Sequence, residues 1–364
     1  MYSQPSLLPR QDPDAPIRQT DNDAAVARLS AVQKHYLDDL FVKHLVPRAH
    51  LQPNRPPLIN IGTYIRTRGI EDLVDGWLSS AKKQGKKCQI VSLGAGSDTR
   101  FWRIATGPHK DTLIKYVEVD FGEITSKKSM SIMKNRELRD VLGGSNHIQI
   151  TEGGTVLHSR QYHLLAADLR RDPVDTLQEP LTIPSHGSQE PILSPQCPTL
   201  LLFECVLAYM EVNVSSRLLQ WFVDYFSADG GGAPLGCVIY EMFGLNDPFG
   251  RVMLNNLRAR SVTLPGAEPF MTLDSLVERL LKTGFHKGWA LTLKEIRKSY
   301  IEPEELARIS RLEMLDETEE LELVLAHYAI SWSIFVPTAE DKEKWGDWGL
   351  KEKRKHEEEG LSFS

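Results

Sequence analysis

Several residues that could bind a nucleotide follow short runs of apolar residues. Asp120, Asp168 and Glu204 each close or follow such a run, and Gly94 and Gly96 follow another. A carboxylate accepts hydrogen bonds from both hydroxyls of a ribose at once, and an acid about two dozen residues after a glycine turn is well placed for this contact. One acid alone is more often a helix N-cap, but several strand ends of the same polarity are harder to explain by capping. These residues predict a site for a ribose-containing cofactor.

The residues after the glycine turn distinguish between candidate cofactors. A dinucleotide fingerprint needs a third glycine at position 99, where this chain has Thr99, and a helix N-terminus free to receive a diphosphate. Asp98 places a carboxylate there, which would repel a pyrophosphate and disfavours NAD and FAD. S-adenosylmethionine has no phosphate and carries a sulfonium and an ammonium group, so an acidic rim suits it. Taken alone, a Gly-x-Gly turn is a weak signal that a plain turn would also give.

The apolar runs that carry these residues predict strands buried on both faces. Parallel strands covered by helices on both sides are continuously apolar, and open α/β sheets bind ligands at the carboxyl ends of their strands. Two later runs could close the sheet as a hairpin with a long connection. The first predicted strand ends at Leu93. The other predicted strands are Lys115 to Asp120, Tyr162 to Leu169, Thr199 to Glu204, Gly236 to Phe243, Trp289 to Leu293 and Tyr328 to Val336.

Three segments differ in composition from this α/β pattern. Residues 1–20 are rich in proline and polar residues, which predicts disorder. Residues 179–198 contain five prolines together with Ser, Gly and Gln, which predicts a surface insertion. Residues 337–364 are rich in Lys and Glu and predict a charged tail that is either a solvated helix or disordered. We expect this tail to be dispensable.

Composition excludes several classes of function. The 364 residues carry a net charge of -6, which gives no basic surface for nucleic acid or an anionic membrane. No apolar stretch is long enough to span a bilayer, and no signal peptide is visible, so we expect a cytoplasmic protein. The four cysteines have no Cys-x-x-Cys spacing and the histidines no ligand spacing, so no metal site is predicted. The Gly-x-Ser-x-Gly elbow of many hydrolases is missing.

Five stretches, in order over roughly residues 20–335, resemble the leucine carboxyl methyltransferases: Leu93 to Arg103, Tyr116 to Phe121, Ala167 to Arg170, Pro198 to Met210 and Phe249 to Leu257. That family uses S-adenosylmethionine to methylate the C-terminal leucine carboxylate of the protein phosphatase type 2A catalytic subunit. The resemblance implies a Rossmann-like α/β methyltransferase fold, with a seven-stranded, mostly parallel sheet and a helical lid. It places the methyltransferase domain at residues 21–336 and the lid at residues 21–60.

The resemblance also implies which residues hold the methionine part of the cofactor. Arg66 matches the arginine that binds the methionine carboxylate, and Gly94 permits close approach of the backbone to the methionyl portion. Glu204 is similar to the acid near the ammonium group. From its position on an amphipathic helix alone, Arg66 could instead be a surface ion-pair partner.

Further matches imply the nucleoside and acceptor contacts. Asp120 resembles the ribose ligand, Asp168 and Leu169 resemble the adenine contacts, and Tyr209 faces the acceptor side, although it could equally be a core residue with a satisfied hydroxyl. The chain departs from the family in its lid and acceptor groove. A basic residue that relatives carry in the first helix aligns with Ala27, beside Arg28, and an arginine before the Phe-Gly pair is Pro248.

A carboxylate acceptor would need little catalytic machinery. A peptide C-terminal carboxylate has a pKa of roughly 3.5 and is already a nucleophile at neutral pH, so no general base is required. The predicted partner is the type 2A phosphatase catalytic subunit, and we expect a monomer. Two alternatives stay open from the residues themselves. One is a small-molecule O-methyltransferase of the same fold, and the other is a non-catalytic module that only binds S-adenosylmethionine.

Overall fold

One mixed β-sheet forms the centre of the computed structural model, which describes residues 12–184, 190–228 and 232–353. Within these residues the sheet has nine strands in the order β3-β4-β5-β2-β1-β6-β7-β9-β8. The strands are β1 Cys88–Leu93, β2 Leu113–Asp120, β3 Gln149–Thr151, β4 Val156–His158, β5 Tyr162–Ala166, β6 Thr199–Glu204, β7 Leu235–Met242, β8 Lys287–Thr292 and β9 Tyr328–Phe335.

The five strands from β5 to β7 are parallel, and β9 is antiparallel to both of its neighbours, β7 and β8. The predicted α/β fold with a mostly parallel sheet and the closing hairpin are therefore confirmed. The predicted number of strands, seven, is too low, because β3 and β4 extend the edge beyond β5. Each of these strands has three residues, and exposed Gln149 and Ile150 interrupt the apolar pattern that marks the other strands.

Alternate residues of the central strands pack into separate apolar clusters on the two faces of the sheet. In β6, Leu200 and Leu202 belong to one cluster, while Leu201 and Phe203 belong to the other. Trp77 of helix α3 (Pro57–Lys83) lies in the first cluster, and Phe222 of helix α8 (Val212–Ser227) lies in the second. Both faces are thus covered by helices, which is why these strands are continuously apolar in sequence.

Fourteen α-helices surround the sheet in the described part of the chain. They are α1 Ala15–Gln33, α2 Val42–Leu45, α3 Pro57–Lys83, α4 Arg100–Ala105, α5 Gly122–Lys134, α6 Arg136–Val141, α7 Glu179–Thr182, α8 Val212–Ser227, α9 Pro248–Ala259, α10 Leu273–Lys282, α11 Leu293–Glu295, α12 Pro303–Ile309, α13 Thr318–Ala326 and α14 Ala339–Trp345.

The first helix begins inside the segment that was predicted to be disordered. Helix α1 starts at Ala15, so the prediction for residues 1–20 is wrong for residues 15–20, while residues 1–11 lie outside the described residues. Asp14 pairs with Arg170 at 2.6 Å, and Val26 and Leu29 are buried. Contacts across such a sequence distance are invisible in local composition.

The Lys- and Glu-rich C-terminal segment is also ordered where the structure describes it. Trp345 and Trp348 are buried against Trp77, with ring centroids 4.3 and 5.0 Å away. The prediction of a solvated or disordered tail at residues 337–364 is therefore wrong for the part that carries these tryptophans, and residues 354–364 lie outside the described residues. The charged residues dominate the composition, but the two indoles supply the docking surface.

The proline-rich insertion at residues 179–198 is anchored at both ends. Leu181 and Leu193 are fully buried, and the side chain of Gln89 bonds to the backbone of Ser194 in both directions, at 2.9 and 3.0 Å. Residues 185–189 lie outside the described residues. The described parts of the insertion are therefore tied to the core on both sides of these residues.

Candidate active site

A cavity of about 360 Å³ lies at the carboxyl ends of the parallel strands. The predicted site residues come from segments up to 143 positions apart, yet the sheet brings them together because parallel strands end at one edge. All of the residues that were predicted to bind the cofactor or to face the acceptor line this cavity: Arg66, Gly94, Asp120, Asp168, Leu169, Glu204 and Tyr209.

The glycine turn after β1 needs residues without side chains. Gly94 has φ +65°, and a β-carbon there would collide with Val206. Gly96 has φ +51°, and its β-carbon would lie 2.6 Å from the Asp21 carboxylate. Both the backbone conformation and the space available therefore favour glycine. The turn leaves its backbone open to the cavity.

Asp120, at the end of β2, is held by the backbone around it. One carboxylate oxygen accepts from the amide of Gly96 and the other from the amide of Phe121, both at 2.7 Å. Burial raises the pKa of Asp120 to about 6, and these two amide bonds only partly oppose the effect. Because each carboxylate oxygen has two lone pairs, both oxygens can still accept a further hydrogen bond from a diol.

A chain of charges crosses the middle of the cavity. Arg66 donates through Nε and Nη2 to Glu204 Oε2 at 2.9 and 2.7 Å, and Arg100 donates to Glu204 Oε1 at 2.7 Å. Arg100 also donates to Asp98 at 2.6 Å. Burial opposes ionisation of Glu204, but the two guanidinium groups hold its pKa below the ordinary value. Glu204 is therefore an ionised acceptor at neutral pH.

In this chain of charges, predicted ligand-binding groups are paired with each other or with neighbouring residues. Arg66 and Glu204, which were predicted to hold opposite charges of the cofactor, pair with each other. Asp98, which was expected to present a bare negative charge at the rim, is paired with Arg100 and also accepts from the Arg100 amide at 3.0 Å. Among the described residues Arg66 Nη1 has no bonded acceptor, so it is available to a ligand carboxylate.

The end of the cavity beyond β5 is formed by a second ion network. Arg170 donates to Asp168 through Nε and Nη2, both at 2.8 Å, and to Asp14 of the segment before α1 at 2.6 and 2.7 Å. Its guanidinium lies 5.2 Å from the centre of the Phe121 ring. Leu169 is buried and adds an apolar contact. An apolar surface bordered by hydrogen-bonding groups suits a purine base.

The opposite end of the cavity, beyond β6, is largely apolar. Tyr209, Met242, Leu257 and Tyr328 line it. Burial raises the pKa of Tyr209 to about 12, so the phenol stays protonated at neutral pH. Tyr209 can therefore donate a hydrogen bond or pack against an apolar group, but it is not a base in this environment.

Helix α1 overlaps the lid expected at residues 21–60, but its contact residues were not among the predicted site residues. Asp21 accepts from the Ser97 amide at 2.6 Å and from the Ser97 hydroxyl at 3.2 Å, which ties α1 to the glycine turn. Ala24 and Ala27 line the cavity as well. Their small side chains lie three residues apart on one helix face, which indicates that this face can pack closely against another element. The local sequence does not indicate that this element is a turn more than 60 residues later.

Comparison with known proteins gives the family. A family model described as leucine carboxyl methyltransferase matches residues 17–223. Leucine carboxyl methyltransferase 1 of Cryptococcus neoformans is 42% identical over 356 residues, which cover 90% of this chain and 96% of that protein. This chain belongs to the leucine carboxyl methyltransferase family. Leucine carboxyl methyltransferase 1 of Bos taurus is 34% identical, with 89% of this chain and 91% of that protein covered.

Among solved structures, this chain is similar to the geranyl diphosphate C-methyltransferase of Streptomyces coelicolor A3(2). It is 8% identical, with a TM-score of 0.44, and the match covers 90% of this chain and 99% of that chain. Within the described residues, no helix is long and apolar enough to cross a membrane, and no group of three or more His, Cys, Asp or Glu could hold a metal ion.

This methyltransferase uses S-adenosylmethionine as its methyl donor, and the cavity fits that cofactor. Gly94 and Gly96 of the glycine turn line the cavity, so the backbone of the turn forms part of its wall. Asp120 can accept from a ribose diol, and Arg66 Nη1 and the ionised Glu204 are complementary to a carboxylate and an ammonium group. These donors and acceptors thus fit a carboxylate, an ammonium group and a ribose diol.

Proposed function

We propose that this methyltransferase esterifies the C-terminal leucine carboxylate of the type 2A protein phosphatase catalytic subunit. Its family membership supports carboxyl methylation with S-adenosylmethionine. The observation that carries the finer proposal is the division of the cavity: polar groups for a cofactor line one part, and a protonated tyrosine with apolar side chains lines the other. An apolar acceptor end suits a leucine side chain.

In this proposal the cofactor residues keep the roles that the resemblance implies. Arg66 binds the methionine carboxylate, Gly94 contacts the methionyl portion, and Glu204 pairs with the ammonium group. Asp120 accepts from the ribose hydroxyls, and Asp168 and Leu169 contact the adenine.

Helix α1 acts as the lid in this proposal. Asp21 holds it against the glycine turn through the Ser97 amide and hydroxyl. The lid would exclude water from the cofactor and from the reacting groups.

Methyl transfer to a carboxylate requires the enzyme to position the two substrates, but it does not require a proton transfer. When bound, S-adenosylmethionine supplies a methyl group on a positively charged sulfur. A new bond forms from an acceptor carboxylate oxygen to this carbon while the bond from carbon to sulfur breaks, and S-adenosylhomocysteine leaves. The acceptor is ionised at neutral pH, since its pKa is roughly 3.5. Tyr209 needs only to orient the acceptor, which agrees with the raised pKa of its hydroxyl.

The test is transfer of a labelled methyl group to purified phosphatase catalytic subunit. A carboxyl ester should release the label as methanol in mild alkali, whereas methyl ethers and methylamines retain it. A catalytic subunit that lacks its terminal leucine, and one whose C-terminus is an amide, are the matched controls and should accept no label. Alkali-stable label, or label on the amide form, would overturn the proposal and favour a hydroxyl or amine acceptor.

A further inference from the structure

The order of strands in the sheet gives the cavity two distinct ends. From one edge of the cavity to the other the strands are β5, β2, β1, β6, β7 and β9. The polar groups that fit the cofactor follow β5, β2, β1 and β6. Met242 closes β7, and Tyr328 opens β9, which is antiparallel and so begins at the same edge. The side of the cavity that the cofactor groups leave free is therefore the one formed by β7 and β9.

The acceptor end has an apolar wall that packs as one unit. Tyr209, Met242, Leu257 and Tyr328 belong to one hydrophobic cluster with α9, and all four line the cavity. Tyr328 is stacked on Tyr240, with ring centroids 5.4 Å apart. This wall is of a chemistry that suits an aliphatic side chain, but it offers no positive charge to an acceptor carboxylate.

The guanidinium group of Arg260 lies beside this wall. Arg260 follows α9, three residues after Leu257, and it lines the cavity while its side chain is 53% exposed. Its Nη2 donates to Asp23 of α1. Asp23 also pairs with Arg55 at 3.7 Å, so this cluster of two arginines and one acid has a net charge of +1. An added carboxylate would balance it.

Four other arginines of the cavity are paired with acids that are not part of this wall. Arg66 and Arg100 share Glu204, and Arg170 forms four side-chain bonds with Asp14 and Asp168. Arg28 is bound to the fully buried carboxylate of Asp39 at 2.6 Å. Within the described residues Arg260 Nε and Nη1 have no bonded acceptor, and Arg260 follows α9 beside the apolar wall rather than among the cofactor groups. A guanidinium has five N–H donors in a planar fork that matches a carboxylate.

We propose that Arg260 binds the terminal carboxylate of the acceptor and positions it for methyl transfer. This inference rests on the proposed function and adds the group that recognises the negative charge of the substrate. Arg260 would hold one carboxylate oxygen beside the apolar wall while the other oxygen faces the methyl group. The methylated product has no negative charge, so the same contact would weaken after transfer and favour release of the ester.

The test compares two forms of one partner. Binding of the unmethylated and the methylated phosphatase catalytic subunit is measured in the presence of S-adenosylhomocysteine, which permits no reaction. The wild-type enzyme should bind the unmethylated form more tightly. Arg260→Gln should reduce this preference by about tenfold or more, the factor expected for loss of a hydrogen bond between charged groups. Its affinity for S-adenosylhomocysteine should be unchanged, which shows that the variant is folded.

Arg258→Gln is the matched control. Arg258 lies on α9, is 54% exposed, pairs with Glu268 at 3.1 Å, and does not line the cavity. This variant should keep the wild-type preference. If Arg260→Gln also keeps it, Arg260 does not bind the acceptor carboxylate. If the wild-type enzyme neither methylates the catalytic subunit nor distinguishes its two forms, the proposed function itself fails, and this inference fails with it.

Discussion

At the scale of single residues, Asp120 couples cofactor binding to pH. Burial raises its pKa to about 6, so the carboxylate is ionised at pH 7 and takes up a proton as the pH falls through 6. A protonated acid loses acceptor capacity for the ribose hydroxyls. We expect the affinity for S-adenosylmethionine, measured by calorimetry, to fall between pH 7 and pH 5, approaching about tenfold per pH unit below the pKa.

The same pKa has a consequence for stability. The folded-state pKa of Asp120 lies above the ordinary value of 3.8, so its stabilising contribution is present at low pH and is lost as the pH rises from 3.8 to about 6. Cofactor binding and folding therefore respond to pH in opposite directions at this residue. Asp120→Asn is the control: it should bind more weakly and show a flat pH profile. An equally steep profile in that variant would assign the titration to another group.

Arg66 tests whether guanidinium geometry matters at the centre of the site. It donates twice to Glu204 and lies 4.5 Å from the centre of the Tyr240 ring. Lysine keeps the charge but cannot maintain these contacts and also grip a ligand carboxylate. Arg66→Lys should weaken S-adenosylmethionine binding by about tenfold or more. Arg68→Lys, on the same helix, should bind normally, since Arg68 is 40% exposed and pairs with Asp72. If Arg66→Lys binds S-adenosylmethionine with wild-type affinity, Arg66 does not bind the cofactor and serves only as the ion-pair partner of Glu204.

At the scale of elements, helix α5 is tied to strand β2 and to the glycine turn by one buried lysine. Lys128 Nζ lies 2.5 Å from Glu118 Oε2 and donates to the Asp98 carbonyl at 2.8 Å. Tyr162 also donates to Glu118 at 2.7 Å. Burial raises the pKa of Glu118 to about 7 even with these partners. The turn that borders the cofactor cavity therefore depends on a charge pair that no solvent reaches.

Lys128→Met should lower the free energy of unfolding by about 3–5 kcal/mol in urea titrations at pH 8, because it leaves Glu118 buried without its cation. The loss should be smaller at pH 5, where Glu118 is protonated. The double variant Lys128→Met with Glu118→Gln should recover most of the stability, since no charge is then buried. Equal losses in the single and double variants would show that packing, not charge, is responsible.

Local sequence patterns predict the positions of the strands well, but they do not predict which elements contact one another. Continuous apolar runs place β2 and β6 within two residues of their observed bounds, because burial on both faces is a local requirement. The carboxyl-edge site follows from the same pattern. The contact of α1 with the glycine turn and the contact of Lys128 with Glu118 could not be predicted, because each depends on a partner that is distant or unmarked in the local sequence.

The position of α1 leads to a second prediction at this scale. Ile17, Arg18 and Thr20 line the cavity, so deletion of residues 1–20 should weaken S-adenosylmethionine binding while the sheet stays folded. Deletion of residues 1–11, which removes no described contact, is the control and should bind normally. Normal affinity in both variants would mean that the start of α1 is not part of the cofactor site.

At the scale of the whole molecule, the charged C-terminal segment closes the fold against the helix that carries Arg66. Trp348 donates through Nε1 to the Leu73 carbonyl at 2.9 Å, and Trp345 donates to Gln84 at 3.2 Å. Both acceptors belong to α3 or its end. The average composition of residues 337–364 is that of a solvated segment, but two tryptophans are enough to dock it. Composition averages over a segment, whereas docking depends on single large side chains.

Removal of residues 337–364 should therefore destabilise the protein. It exposes Trp77 and deletes two buried indoles, each worth about 3–5 kcal/mol on truncation to alanine, which together approach the net stability of a typical domain. The two losses should not simply add, because both indoles contact Trp77. We expect a lower thermal midpoint and aggregation on expression. Deletion of residues 354–364 alone is the control. If the longer truncation melts like the full chain and methylates normally, the tryptophans contribute nothing that the core cannot replace.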